Sequence, residues 1–388
     1  MKEQFLKFSF FMMPIHQPKE NPSLAFDRDI KLVNFADMLG FDEFFIGEHH
    51  SGGWENMPCP EMALAKASAT AKRIKLGTSV INLPFHHPYH VAERIVFLDH
   101  LTMGRAMLGV GPSSLISDKR LFRINPDVMW DMMEESLEII INLFDKSEPF
   151  DFDGKFWKLK DIGLQLHSFQ KPRIPICIAT SGSEETLDLA GKHGCILFSM
   201  AGKLREGKLN FTDQWSRVEK SALQHGTSVS RDNWRVVTSV YLSENRQKAW
   251  DEVEEGIARE MNYFKTIGFK SAYEDFYGQP FDEITPRIGA KNRRWIIGTP
   301  DDAIAAIEEF IKETGGFGGF MMTTHEWTSE ENIRHSIDLF ARYVMPHFRN
   351  HTSQHIASWD RLQQDFLNKK SPDFDSNLGL GSISSSNS

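Results

Sequence analysis

Phe44-Phe45-Ile46-Gly47-Glu48-His49-His50-Ser51-Gly52-Gly53-Trp54 is the stretch whose reading decides the fold. An apolar run stops abruptly at an acid and two adjacent imidazoles, then breaks into a glycine-rich loop. The run is short and aromatic enough to be a buried strand. Titratable groups placed where a buried strand emerges are costly unless they are paired or used. In parallel α/β proteins the carboxyl ends of strands are where active sites collect. Two readings of Glu48 and His50 stand side by side: a functional pair, or a structural network in which they satisfy each other and the loop. Neighbouring side chains leave a strand in opposite directions, so at most one of His49 and His50 faces the mouth of the sheet.

Outward from this stretch the chain alternates strand and helix. Strand patterns occupy 5–13, 41–47, 74–83, 106–111, 174–179, 195–200, 234–242 and 317–323. Helical periodicity fills most of the intervals, beginning with 23–39, where Ser23 is a plausible cap and Gly40 a stop. Eight strands alternating with helices predict an α/β fold, a (β/α)8 TIM barrel with insertions. One insertion, 149–166, follows the fourth helix and reads as a β-hairpin around Asp153-Gly154. The other, about 269–294 before strand eight, carries glycines and prolines among aromatic and basic residues and reads as a mobile lid. The barrel domain spans 1–350, and 351–388 holds a polar C-terminal helix with a disordered serine- and asparagine-rich tail over 371–388.

Composition narrows the function classes. A 388-residue chain that is 40% hydrophobic and 25% charged is an ordinary soluble globular protein with ample core. A net charge of -9 argues against nucleic acid as a partner. No run reaches the roughly 18 apolar residues of a membrane span, and the N-terminus lacks a signal-peptide plan. Three distant cysteines (Cys59, Cys177, Cys195) read as reduced thiols of a cytoplasmic protein. No dinucleotide-binding GxGxxG, HExxH, clustered metal-spaced carboxylates or GxSxG is present, so no metal is expected.

Three further strand ends could carry chemistry. In Leu76-Gly77-Thr78-Ser79-Val80, small residues let a flat ligand approach the backbone, and the following His86 and His87 are either ligands or, the simpler reading, cap or loop residues. Strand four ends in Gly109-Val110-Gly111-Pro112, where Gly111 leaves room for a planar group or serves a tight turn. Strand five ends in Thr180-Ser181-Gly182-Ser183 before a helix, which is either a phosphate cradle or a simple N-cap with Glu184 and Glu185 complementing the dipole. Gly298-Thr299-Pro300 also opens a helix and is expected at the opposite end of the barrel, in a structural role.

Gly47-Glu48-His49-His50, Leu76 to Val80, Gly104 to Gly111, Ala179 to Ser183 and Ile297 to Pro300 together resemble the bacterial luciferase-like flavin monooxygenases, over about residues 5 to 348. Glu48 to Glu61, with Trp54-Glu55, and Thr314 to Gly318 look most like the limonene 1,2-monooxygenase and diketocamphane monooxygenase branch. The resemblance implies a two-component enzyme: a separate reductase supplies reduced FMN (alternatively FAD), and O2 reacts with it to a C4a-peroxyflavin. One oxygen atom then enters a small hydrophobic, terpene- or ketone-like substrate, by epoxidation or Baeyer–Villiger insertion. It also implies a homodimer.

Residue by residue, His49 matches the family's catalytic histidine, expected to manage protons, with Glu48 as its partner. Ser79-Val80 matches a cis peptide against the isoalloxazine, Gly111 a position near the reactive flavin carbon, and Thr180, Ser181, Gly182 and Ser183 the phosphate segment. Pro112 and Thr180 depart from luciferase's arginine and acid, so the phosphate charge is expected to be met by Lys291, Arg293 or Arg294. The alternatives are an F420-dependent oxidoreductase on the same barrel, or a non-catalytic flavin-binding homologue.

Overall fold

The strand–helix alternation closes into a barrel. The protein is described here by a computed structural model covering residues 6–202 and 209–368; the expected tail over 371–388 lies outside the described residues. β1 (Lys7–Met12), α1 (Pro22–Leu39), β2 (Glu43–Ile46), α2 (Pro60–Ser68), β3 (Lys75–Thr78) and β4 (Ile81–Asn82) open the chain. α3 (Pro88–Leu101), β5 (Ala106–Gly111), α4 (Ile116–Phe122) and α5 (Met129–Asp145) lead to a hairpin of β6 (Phe150–Asp153) and β7 (Lys158–Ile162). β8 (Ile176–Thr180), α6 (Glu184–His193), β9 (Ile196–Met200), α7 (Phe211–His225), β10 (Trp234–Leu242) and α8 (Arg246–Phe264) follow. α9 (Lys270–Tyr277), α10 (Pro286–Arg293), β11 (Ile296–Gly298), α11 (Pro300–Thr314), β12 (Gly319–Thr324) and α12 (Glu330–Leu339) complete the first compact unit, which ends at Met345. The second unit begins at Pro346 and contains α14 (Ser353–Asn368), after the short α13 (Met345–Arg349).

Eight parallel strands pair in the order β10-β12-β1-β2-β3-β5-β8-β9 and return to β10. β4 continues β3 past the Ser79–Val80 bond, which is cis, and pairs with β5. Because the sheet is closed and covered by helices, its strands are buried on both faces. Inside, Phe45, Met107, Cys177, Phe198, Val237 and Met321 form one cluster. A Cβ on Gly77 would stand 2.3 Å from the Phe45 ring, so this glycine lets the aromatic fill the axis. Truncating Phe45 would cost about 3–5 kcal/mol. At the amino end of the strands, Arg235 grips Glu43 through Nε (3.0 Å) and Nη2 (2.8 Å), and Ser9 donates to the same carboxylate at 2.7 Å.

Four expectations change. Asn21 caps α1, accepting the Ser23 N–H at 3.0 Å, because a side chain caps from just before the first turn. Strand three is two short strands broken at Ser79–Val80. The segment 269–294 is not irregular: it folds as α9 and α10, whose Tyr273 and Tyr277 pack with Phe281, Ile284 and the α8 residues Val253, Ile257 and Met261. Gly278 in a left-handed conformation and the N-terminal Pro286 punctuate helices of eight residues each, too short to show a period. Finally, Gly298 lies beside Leu242, at the carboxyl end of β10 and not at the opposite end of the barrel. Its structural role holds, since Thr299 and Asp302 form a capping box for α11.

Candidate active site

The carboxyl end of the barrel opens into a cavity of about 640 Å³. Its walls include Phe11, Met13, Trp130, Met133, Phe198 and Met321, and its polar lining includes Glu48, His49, Ser79, Thr180, Ser181 and Ser183. Val80 and Gly111 also line it. Residues from four separate strand ends therefore meet in one place, as the barrel requires.

β2 delivers Glu48, His49 and His50 to the rim, and they diverge. Glu48 is buried, and both His50 Nε2 (2.7 Å) and His86 Nε2 (2.9 Å) meet its Oε1. Asn82 donates its backbone N–H to Glu48 Oε2 at 3.3 Å and its side-chain amide to the Glu48 carbonyl at 3.0 Å. The expected partnership of Glu48 with His49 is thus replaced by a network with His50, His86 and Asn82. His86 belongs to this network and is more than a loop residue. The ligand atoms of Glu48, His50 and His86 lie within 4.8 Å of one another, close enough to hold a metal ion. Their mutual hydrogen bonds already satisfy them.

His49 points the other way. Its Nε2 lies 2.8 Å from Glu55 Oε2 and its Nδ1 3.1 Å from Asp118 Oδ2. The ring is 21% exposed, while Asp118 is fully buried and Glu55 nearly so. Glu55 is placed by the loop folding back to a bridge with Ile15. Asp118 comes from α4 and also accepts from Ser51 Oγ (2.5 Å) and the His50 N–H (3.3 Å). Burial alone would depress the His49 ring; its bonds to Asp118 and Glu55 outweigh that and raise it from 6.5 to about 9. Burial raises the Asp118 carboxyl, but the bonds from His49 and Ser51 hold it below the usual range.

Sequence reading missed both carboxylates. Asp118 sits in a seven-residue helix too short to announce itself, and nothing in Trp54-Glu55 alone gives that acid a partner. The stacking of Trp54 on Tyr263 (4.7 Å between centroids) further ties this loop to α8.

The residues of the flat-ligand and anion expectations mostly border the cavity, with differing contacts. Gly111 borders the cavity, yet the space beside its Cα belongs to Val80: a Cβ there would stand 2.6 Å from Val80 Cγ2. Thr180 Oγ1 accepts the Gly182 N–H at 2.9 Å, leaving its O–H free to donate. Gly182 takes φ 95°, and a Cβ would come within 2.9 Å of the Leu209 carbonyl. Ser183 makes no capping bond and turns its hydroxyl to Thr186, so the first amides of α6 are left without a side-chain acceptor. Arg217 takes up Glu184 at 2.8 Å.

Ser113, at φ 74°, lines the cavity with a buried hydroxyl that has no hydrogen-bond partner among the described residues. A planar, anionic cofactor fits these features: the volume falls in the roughly 300–1,000 Å³ range of ligand sites, and uncapped helix amides suit a phosphate. The expected basic partners are elsewhere. Arg294 pairs with Glu313 at 2.7 Å, Arg293 lies over the Tyr273 and Phe276 rings, and neither they nor Lys291 line the cavity. Folding of 269–294 onto α8 is the reason.

Comparison with known proteins accords with this geometry. The family model "Luciferase-like monooxygenase" matches residues 6–317. The chain is 34% identical over 358 residues to 4-hydroxyprotoasukamycin monooxygenase of Streptomyces nodosus subsp. asukaensis, covering 91% of this chain and 95% of that one. It is 33% identical over 356 residues to limonene 1,2-monooxygenase of Rhodococcus erythropolis, covering 91% and 89%. Its fold resembles the oxygenating constituent of 3,6-diketocamphane monooxygenase from Pseudomonas putida, solved with FMN, at a TM-score of 0.74 and 24% identity over 88% of this chain and 98% of that one. The chain belongs to the luciferase-like monooxygenase family.

Proposed function

We propose that this protein is the oxygenase of a two-component flavin monooxygenase. It takes reduced FMN from a separate reductase and passes one oxygen atom of O2 to a small hydrophobic, terpene- or ketone-like substrate, the other leaving as water. The observation that carries this reading is the mouth cavity, apolar along the barrel axis and rich in hydroxyls and free amides at the α6 side. When bound, the reduced flavin supplies the electrons that activate O2. The chain's own residues do the rest. Val80 and Gly111 shape a narrow wall against which a flat ring system can lie. The α6 amides with Ser181, Ser183 and Ser113 receive a phosphate and ring polar atoms. Phe11, Met13, Trp130 and Met133 exclude water, which favours transfer over loss of oxygen as peroxide. His49, with Glu48 and Glu185, brings titratable groups to this lining.

FMN is preferred over FAD because a mononucleotide matches the single hydroxyl-rich end of the cavity, and the structural relative was solved with FMN. A homodimer is supported by apolar residues left exposed on α2 and α3: Met62 (72%), Phe97 (58%) and Leu101 (48%). Three free cysteines support a cytoplasmic setting. No helix among the described residues is long and apolar enough to cross a membrane.

The test supplies reduced FMN through a reductase, with isotopically labelled O2 and a panel of terpene alkenes and cyclic ketones. One labelled oxygen atom in a product is expected. Hydride transfer that proceeds equally without O2 would overturn the proposal in favour of the deazaflavin reading.

A further inference from the structure

We infer that Glu48, His50 and His86 form a binding site for a zinc-class divalent cation, which ties the end of β2 to the loop between β4 and α3 at the edge of the cavity. The site stands apart from the monooxygenase reading, because its ligands and its test involve no flavin.

The three side chains already converge on one point. His50 Nε2 lies 2.7 Å from Glu48 Oε1 and His86 Nε2 lies 2.9 Å from the same oxygen. All three ligand atoms fall within 4.8 Å of one another. Around a tetrahedral zinc the ligand atoms stand about 3.4 Å apart, given zinc–ligand bonds of about 2.1 Å. The cluster therefore needs to part by only a fraction of an ångström to admit the ion. Three protein ligands with water in the fourth position is a common zinc arrangement.

The donor types select the cation. Two imidazoles and one carboxylate suit zinc and its neighbours, whereas calcium and magnesium favour oxygen ligands throughout. No zinc spacing is visible in the sequence, because His86 arrives from 38 residues beyond Glu48 and the fold alone brings it to β2.

The surroundings favour exchange of hydrogen bonds for a cation. An ionised carboxylate offers only lone pairs, so both rings face Glu48 with Nε2–H. Among the described residues no hydrogen bond engages Nδ1 of either ring, so nothing locks that tautomer. Each ring can carry its proton on Nδ1 and turn the Nε2 lone pair to the metal. Glu48 is held in place from behind: its Oε2 accepts the Asn82 N–H, and its carbonyl accepts the Asn82 amide. Such bonds orient a ligand for the metal. The carboxylate is buried while both rings keep an exposed part, which leaves the ion a way in from solvent. Phe122 and Phe85 stand edge-on to the His50 ring and stack on each other at 4.4 Å, giving the site an apolar wall. Among the described residues no lysine or arginine pairs with Glu48, so no fixed cation competes for it.

The test titrates the flavin-free full-length protein with Zn2+ by calorimetry and with Co2+ by visible absorption. One zinc per chain is expected. Cobalt should show the bands of a four-coordinate nitrogen and oxygen site, without an intense thiolate band. Zinc should also raise the thermal midpoint, since it binds the folded chain. His50→Ala and His86→Ala should each lose the stoichiometric binding and the thermal shift, so that a failure of one to fold leaves the other to decide. Asn82→Ala should weaken zinc by about tenfold. His90→Ala, which removes an exposed histidine paired with Glu93, should change nothing. No saturable binding of one zinc per chain, binding that persists in both histidine variants, or a cobalt spectrum dominated by thiolate would overturn the inference.

Discussion

The two ends of the barrel hold buried charge in different ways. At the amino end, Glu43 and Arg235 are 2% and 1% exposed, doubly bonded to each other, with Ser9 and the Asp232 carbonyl completing the set. Burial raises the Glu43 carboxyl, but Arg235 and Ser9 outweigh it and hold it at about 2. At the mouth, two buried carboxylates grip one histidine whose ring is 21% exposed. Arginine is always charged, so the lower pair can only be intact or broken. Histidine can exchange its proton, so the upper cluster can take part in chemistry. Burial of a charge is therefore not itself a sign of function here. What marks the mouth is a titratable cation between acids, at the wall of a cavity.

Breaking each end should give opposite signatures. Arg235→Met leaves Glu43 buried and alone and should cost about 3–5 kcal/mol of stability in urea unfolding. Flavin binding by the folded fraction should be unchanged. Adding Glu43→Leu should recover most of that loss, because replacing a whole buried pair by apolar groups is often neutral. Asp118→Asn should instead lower product formation by about a hundredfold, the scale of a general acid, while costing only about 1–3 kcal/mol of stability.

A smaller effect sharpens the mouth itself. Gly111→Ala pushes a methyl against Val80 and should weaken reduced-FMN binding by roughly tenfold, for an overpacking cost of about 1–3 kcal/mol. Equilibrium titration under nitrogen would measure it.

The smallest effect is in pH. Glu43 is lowered from 4.5 to about 2, so its stabilisation is present above 4.5 and lost as pH falls through 2. His49 is raised from 6.5 to about 9, so its stabilisation is present below 6.5 and lost as pH rises through 9. Thermal unfolding should accordingly soften at acid pH through the amino end and at alkaline pH through the mouth, by a few degrees each. His49→Gln should abolish the alkaline change and leave the acid one.

Much of this architecture was legible in the residues. The eight strand patterns, the 149–166 hairpin and the divergence of His49 from His50 follow from period and alternation. Local patterns could not reveal partners brought together by the fold. Asp118 is 69 residues from His49 in sequence, on a helix of seven residues, and nothing in Ser117-Asp118 alone distinguishes it from a surface turn. Glu48 is adjacent to His49, and that adjacency misled, because consecutive residues at a strand end face opposite ways. The same limit explains 269–294, where eight-residue helices joined by Gly278 and Pro280 carry too few turns for periodicity to emerge.

The most direct measurement is an anaerobic titration of the protein with reduced FMN, followed by rapid mixing with O2 while the return of oxidised-flavin absorbance is recorded. The account predicts saturable binding of one flavin per chain and a reoxidation clearly slower than that of free reduced FMN, because the apolar mouth excludes water. Reoxidation at the free-flavin rate under saturating protein would contradict it.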